Sequence, residues 1–433
     1  MSETVAAAGL RALAPPRLDA IAHLALRLGR LLLACGADAT HTVARVETLA
    51  ASLGVTAQLF VSGERLLLTV ESGGSYRTRV GHALQGPGVD MGRLGALERV
   101  LDALAAGEID LAEAGARLDA ALAAGPPYPG WLVVVAVTTT TACLARLFEA
   151  PWIVVAASFA AGLVNTLMRR AFAARRLNPV ASAFLTACVS GLAGALLLRL
   201  LHGPSPALCL AAAGMILVPG VPLINGIDDL ARGHVGLGLA RLATGTITIL
   251  AIGFGLFVAA VLAGDVLPVS SGPGRLSVPE DALVSGLAAI GYGLLFGVPR
   301  RAVLACILCG VAGHGSRTAL AAAGIDLAAA TLLASTAVGL LAVALQRRLG
   351  LPWTTFAFPG VVAMIPGSYA FRAATGALHV MAQGSASPPA LVAETLSLAI
   401  ATAVMTTAVG SGLLLASAAR GLWPPRPRPA HRP

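Results

Sequence analysis

From Trp131 onward, long apolar runs follow one another, separated by short clusters of arginine, glycine and proline. A helix needs about 20 mainly apolar residues to cross ~30 Å of hydrocarbon, and lipid tolerates only backbone whose amides and carbonyls are satisfied within the fold. The runs at 131–148, 151–168, 180–200, 206–224, 237–263, 281–298, 301–323, 327–345, 353–371 and 389–419 meet that demand. They predict an all-α polytopic membrane protein with about ten transmembrane helices.

Composition agrees: 57% of the residues are hydrophobic and 12% charged, against about 25% charged in a soluble domain. The mean hydropathy of +0.81 averages two unlike parts. Residues 1–130 carry regularly spaced charges, and Gly125-Pro126-Pro127-Tyr128-Pro129-Gly130 closes that part with a helix-breaking linker. The first part reads as a small α/β domain. Helices are predicted over 18–33, ended by Gly36, and from a cap at Asp38 or Thr40 to about 53. Two strands, 55–61 and 66–71, flank the turn Ser62-Gly63-Glu64, and helices over 94–106 and 111–123 lead to the linker. The expected domains are thus 1–130, a first membrane repeat 131–263, an outer connection 264–280, a second repeat 281–419 and a Pro/Arg-rich tail 420–433.

The net charge of +9 is carried without a single lysine. It does not imply nucleic acid, because no basic stripe with interleaved aromatics exists. Arginine placement instead sets topology. With a cytoplasmic N-terminal domain, the inside connections hold Arg169, Arg170, Arg175, Arg176, Arg232, Arg241, Arg300, Arg301, Arg347, Arg348, Arg420, Arg426, Arg428 and Arg432. The outside connections hold Arg146, Arg199, Arg275, Arg317 and Arg372. That asymmetry predicts both termini inside and an even number of spans. The first 16 residues lack a basic region followed by an apolar core and cleavage site, which fits a cytoplasmic domain. Among the six cysteines, Cys306 and Cys309 have metal-site spacing but lie in an apolar run with no second ligand pair, and read as packing residues.

The spans repeat. Trp131 is matched by Asp281, Pro151 by Arg301, and Met215-Ile216-Leu217-Val218-Pro219-Gly220 by Val362-Ala363-Met364-Ile365-Pro366-Gly367. Five spans per repeat is an odd number, so the second copy must be inverted. Inverted repeats whose corresponding helices are interrupted by Gly and Pro point to a transporter binding site. Proline removes a donor, and the broken backbone is tolerated only where it lines a cavity.

The stretch Ile216-Leu217-Val218-Pro219-Gly220-Val221-Pro222-Leu223-Ile224-Asn225-Gly226-Ile227-Asp228-Asp229-Leu230, with Gly233 and Gly238-Leu239-Ala240-Arg241, resembles the signature of the threonine/serine exporter family. So do Leu31 to Ala37 with Arg45-Val46-Glu47 and Leu53-Gly54, and, in the second half, Phe358-Pro359-Gly360 and Ile365 to Ala370. The segment Asp38 to Ala44 departs from the pattern. The resemblance implies an inner-membrane exporter of small hydroxy amino acids driven by the proton gradient. In some relatives the halves are separate proteins linked to dicarboxylate export, so small dicarboxylates are the alternative cargo.

Substrate is then expected at Pro219, Gly220, Asn225, Pro366, Gly367, Ser368 and Tyr369, with Arg372 as a carboxylate clamp and Asn165 deep in the second span. Against these stand blander readings: Arg372 as a lone outer-loop arginine, Asn165 as a helix-to-helix bond. Asp228 and Asp229 are the expected proton carriers, since a dehydrated carboxylate holds a proton more readily; the plain alternative is a solvated loop. His234, His314 and His379 read as interfacial, Glu394 as a weaker coupling candidate, and Thr138 to Thr141 as back-bonding to their own helix. Arg45 and Glu47 read as an ion pair. No motif calls for a cofactor, a metal or enzymatic chemistry. The expected partners are the small solute, protons, lipid and, as an option, further copies of the chain. A membrane-anchored ligand sensor is the competing class. A cytoplasm-dependent fluorescent reporter fused after Ala419 should glow, and a periplasm-dependent phosphatase there should stay silent; the opposite pair of signals would refute the arginine reading.

Overall fold

The computed structural model describes residues 14–63, 65–82, 88–264 and 276–419. Residues 265–275 of the expected connection 264–280, the tail 420–433 and Glu64 lie outside the described residues. The chain forms two compact units: 1–126 together with 228–241, and 127–227 together with 242–433.

The first unit opens with helices α1 (Pro15–Ala34) and α2 (Ala39–Ser52). Gly36 (φ +101°) and Gly54 (φ +78°) end them in the left-handed region. Asp38 caps α2 by accepting from the His41 amide. Three strands follow as an antiparallel meander, β1 (Thr56–Val61), β2 (Arg65–Ser72) and β3 (Ser75–His82). Two strands were expected. The third escapes a period-2 reading because Ser75-Tyr76-Arg77-Thr78 is exposed and polar or charged side chains alternate with one another, so no apolar alternation marks it. Helices α3 (Met91–Ala105) and α4 (Leu111–Ala123) complete the 1–126 part, capped by Asp90 and Asp110. The Asp90 cap starts α3 three residues before the expected position. Leu18, Ile21, Val46, Leu59, Leu66 and Leu68 form the core, joined by Leu237 from the 228–241 segment. Arg45 does not pair with Glu47: it reaches Glu98 and Asp102, each at 2.7 Å. Residues two apart on a helix point in different directions, which is why the local pair fails.

The second unit is helical. Its elements are α5 (Gly130–Leu147), α6 (Trp152–Ala174), α7 (Pro179–Leu200), α8 (Ala207–Met215), α9 (Gly220–Ala231) and α10 (Val235–Leu262). The second half contains α11 (Val278–Leu295), α12 (Val303–Gly310), a π-helical turn (Val311–Gly315), α13 (Ser316–Ala322), α14 (Leu327–Leu349), α15 (Thr354–Val361), α16 (Gly367–Gln383) and α17 (Pro389–Ala419). The end of α9 and the start of α10 belong to the first unit. Among the described residues, eight helices are long and apolar enough to cross a membrane, or nine if the bent pair α8–α9 is one span. The chain is thus a polytopic membrane protein. The spans expected over 206–224 and 353–371, with their Pro-Gly interruptions, are broken ones that run on past the expected ends, to Ala231 and Gln383. Helices α8 and α9 meet at 58°, and α15 gives way to a 3-10 turn before α16. The cause is proline: Pro219 and Pro366 have no amide with which to continue the ladder.

Helices α5 and α11, the first of each half, pack directly on one another. Thr140 back-bonds to the Ala136 carbonyl at 3.0 Å, as its neighbours Thr139 and Thr141 do to theirs, and also reaches the Ala288 carbonyl at 3.3 Å. The approach is close enough that a Cβ on Gly291 would collide with Thr140 Oγ1 and lie 2.6 Å from the Ala136 carbonyl oxygen. Gly291→Ala should therefore cost about 1–3 kcal/mol by overpacking and lower the thermal midpoint of the detergent-solubilised protein. Gly115→Ala in α4, where a Cβ meets nothing within 4 Å, should instead raise stability by about 0.5–1 kcal/mol. Equal effects of the two substitutions would contradict this packing.

Candidate functional site

The two breaks share one backbone solution. Gly220 N donates to the Val218 carbonyl at 2.8 Å, and Gly367 N donates to the Ile365 carbonyl at 2.7 Å. Each is an i-to-i+2 turn centred on proline, and Pro366 (φ −76°, ψ 53°) sits near the inverse γ-turn. The breaks also receive each other. The Ile365 side chain fills the space a Cβ on Gly220 would take, while a Cβ on Gly367 would lie 3.1 Å from the Val218 side chain. The residue before each proline thus seats against the glycine of the other break.

Next to the second break lies a cavity of about 100 Å³ lined by residues of the second unit. One water needs ~10–15 Å³ on this measure, so the space has room for more than a single water. Pro366, Ser368 and Tyr369 face it, as expected. Opposite them stand Asp281 of α11, His314 of the π-helical turn, and Arg317 and Thr318 of α13. His314 Nδ1 is 2.8 Å and 2.9 Å from the two Asp281 oxygens, and Thr318 donates to Asp281 Oδ2 at 2.9 Å. Arg317 Nη2 is 2.7 Å from His314 Nε2, and its Nη1 donates to the Met364 carbonyl at 3.4 Å. A guanidinium has no acceptor, so Nε2 must accept from it and Nδ1 must carry the proton given to Asp281. Ser368 is 3% exposed, and its Oγ has no hydrogen-bond partner among the described residues.

Two expectations are corrected here. His314 is 4% exposed within a span, not interfacial, and Arg317 lies inside the 300–322 helical run rather than in an outer connection. Both were misread because charged residues at apolar-run ends usually mark topology. A histidine and an arginine three apart inside one predicted span were the available signal. Asp281 hid as the opening residue of a span.

The remaining expected residues are engaged elsewhere. Arg372 pairs with Glu394 at 3.5 Å and does not line the cavity. Asn165 is buried and donates from Nδ2 to Ser190 Oγ (3.4 Å) and the Ala213 carbonyl (3.1 Å), tying α6 to α8 just before its break; its Oδ1 has no partner among the described residues. Asn225 is buried in α9. Asp228 pairs with Arg232 at 3.0 Å, one helical turn on. Asp229 is fully buried within the first unit: Oδ1 accepts from the Ala39 amide at 2.9 Å, and Oδ2 meets Arg241 at 2.5 Å. Arg241 also donates to the Ala37 carbonyl at 2.9 Å. The carboxylate thus sits at the N-terminus of α2, where the helix dipole favours it. Six free cysteines occur, Cys306 and Cys309 both buried, and no His/Cys/Asp/Glu group that could hold a metal ion occurs among the described residues.

A polytopic helical body with proline-broken helices beside a cavity that carries a few charged and polar side chains has the form of a membrane transporter. A family model described as "Putative threonine/serine exporter" matches residues 23–263, and one described as "Threonine/Serine exporter, ThrE" matches residues 281–419. The chain belongs to the threonine/serine exporter family, a family of membrane exporters rather than enzymes. It is similar to proteins named "Probable succinate transporter subunit YjjP" from Klebsiella aerogenes (34% identical) and Escherichia coli K12 (35% identical). Each match runs over 138 residues, 32% of this chain and 54% of the relative. The chain thus spans about half the length of the curated relatives it matches. No solved structure matches it.

Removing one partner of the buried Asp229–Arg241 pair leaves the other charge uncompensated, at a cost of about 3–5 kcal/mol. Asp229→Ala should make residues 14–126 sharply more sensitive to limited proteolysis. The double variant Asp229→Ala/Arg241→Ala should be less sensitive than the sum of the singles, and strict additivity would refute the pairing.

Proposed function

We propose that the protein is a secondary exporter of small hydroxy amino acids, threonine and serine, driven by the proton gradient across the bacterial inner membrane. Its two halves act as inverted five-helix repeats that expose the cavity to one side of the membrane at a time. The observation that carries the reading is the cavity. Among the described residues, Asp281 and Arg317 are the only permanently charged side chains lining it, one of each sign, beside a buried hydroxyl that lacks a partner there. An amino acid presents one ammonium, one carboxylate and, in serine and threonine, one hydroxyl. Asp281 faces the first, Arg317 the second and Ser368 the third, with Tyr369 closing the space. The reciprocal seating of the breaks supports the repeat, because a near two-fold relation predicts that Val218 meets Gly367 when Ile365 meets Gly220. Pro219, Gly220 and Gly367 then shape the pivot, with Asn165 and Asn225 supporting the first break. The arginine asymmetry supports cytoplasmic termini.

Export of small dicarboxylates is the second reading, favoured by the names of the relatives. A dianion would want two fixed cations, and the lining supplies one. The relatives are called subunits, which supports assembly of this chain with further copies of itself.

Proteoliposomes loaded with labelled threonine or serine should release them when a pH gradient is imposed, and release labelled succinate far more slowly. Failure to move any of the three would end the exporter proposal. Succinate moving fastest would favour the second reading. Loss of one neutral hydrogen bond is worth ~0.5–1.5 kcal/mol, so Ser368→Ala should raise the KM for threonine about 2- to 12-fold. It should leave the KM for 2-aminobutyrate, which lacks the hydroxyl, nearly unchanged.

A further inference from the structure

The chain Asp281–His314–Arg317 is more than a lining. Its middle member sits in a π-helical turn, a rare insertion that recurs at functional positions. The three charges and hydrogen bonds are interdependent. A neutral imidazole can give Nδ1–H to Asp281 and receive Arg317 at Nε2, as here. A proton added to Nε2 takes up the lone pair that Arg317 uses. Arg317 then faces a second cation, while its bond to the Met364 carbonyl on the break is unaffected. The same proton neutralises Asp281 across the Nδ1 bond.

Every element packed against the π-helical turn bears this out. Helix α11 brings Asp281, α13 brings Arg317, and α12 brings only the thiols Cys306 and Cys309. Helix α14 carries no ionisable side chain before Arg347, and α15 and the 362–364 turn carry none. Tyr369 faces the pair across the cavity. Glu280, next to Asp281, is already paired with Arg146. No further charge among the described lining residues is on hand to absorb the change.

We propose that His314 Nε2 is the proton-binding atom of the transport cycle, and that the proton competes with the substrate ammonium for Asp281. With His314 neutral the lining has no net charge and accepts a zwitterion. With His314 protonated it is cationic and rejects the ammonium. A proton entering from outside therefore expels the amino acid, and its departure to the cytoplasm readmits one. The proton comes from water and returns to water, and no other bond changes. This rests on the amino-acid export reading and names its coupling residue, away from Asp228 and Asp229, which the first unit holds in arginine pairs.

The test is proton counting on the whole protein in detergent. Threonine binding is followed by calorimetry in two buffers of different ionisation heat, from pH 8 to pH 5, the window in which an imidazole changes charge. Wild type should release up to about one proton per threonine bound at the acid end, and the apparent affinity should weaken about ten-fold or more across the window. His314→Gln, which keeps a donor for Asp281 but cannot be charged, should bind threonine with no proton released and no pH dependence. In vesicles it should exchange threonine yet fail to respond to an imposed pH gradient. Should that variant not fold, the wild-type count alone decides. Threonine binding without proton release, or a His314→Gln protein that still releases one, would overturn the histidine assignment and leave the exporter reading standing. Absence of threonine and serine flux at every pH would sink the exporter reading instead.

Discussion

The second unit turns on the mutual seating of its two proline breaks. Val218 lies against Gly367 and Ile365 fills the space above Gly220. A helix cannot break in lipid without satisfying the backbone it frees, and each break does so in part with a tight turn centred on its own proline. What the turn leaves open must face protein or a cavity. The packing of one break on the other supplies the protein side, and the cavity beside Pro366 supplies the other. A side chain at Gly220 would collide with Ile365, and one at Gly367 would crowd Val218 and Met215.

Charge inside the second unit follows from that geometry. Asp281, His314 and Arg317 are costly groups to bury, and they are kept by satisfying one another. The result is a row in which each hydrogen bond depends on the protonation of its neighbour. The first unit uses a buried charge differently. Asp229 has both oxygens committed, to an amide at the start of α2 and to Arg241, and Arg241 is committed again to the Ala37 carbonyl. A fully committed carboxylate is suited to holding structure in place, and a histidine whose Nε2 bond is lost on protonation to changing state.

Much of this was legible along the chain. The family resemblance rested on the Pro219 and Pro366 stretches, and the family models cover both halves. Helix positions in the membrane part agree closely with the apolar runs, since period and length are properties of local sequence. The cap at Asp38 is local too. The third strand was not legible, because Ser75, Arg77, Arg79 and Gly81 give the face toward α1 no apolar side chain to betray it. The cavity's charged row was not legible either. Asp281 and Arg317 lie 36 positions apart by number, and nothing in the chain says that α11 and α13 place them around one histidine.

By itself the sequence determined that the chain crosses a membrane several times, where its helices break, and which family it belongs to. These follow from solvation of apolar runs, from the missing amide of proline and from a long matched motif. Tertiary structure decided which polar groups meet. It put Asp229 with α2 and Arg241, Arg372 with Glu394, and His314 between Asp281 and Arg317. The reason is physical: a buried charge takes whatever partner packing brings within hydrogen-bond reach, and packing is not written in spacing along the chain.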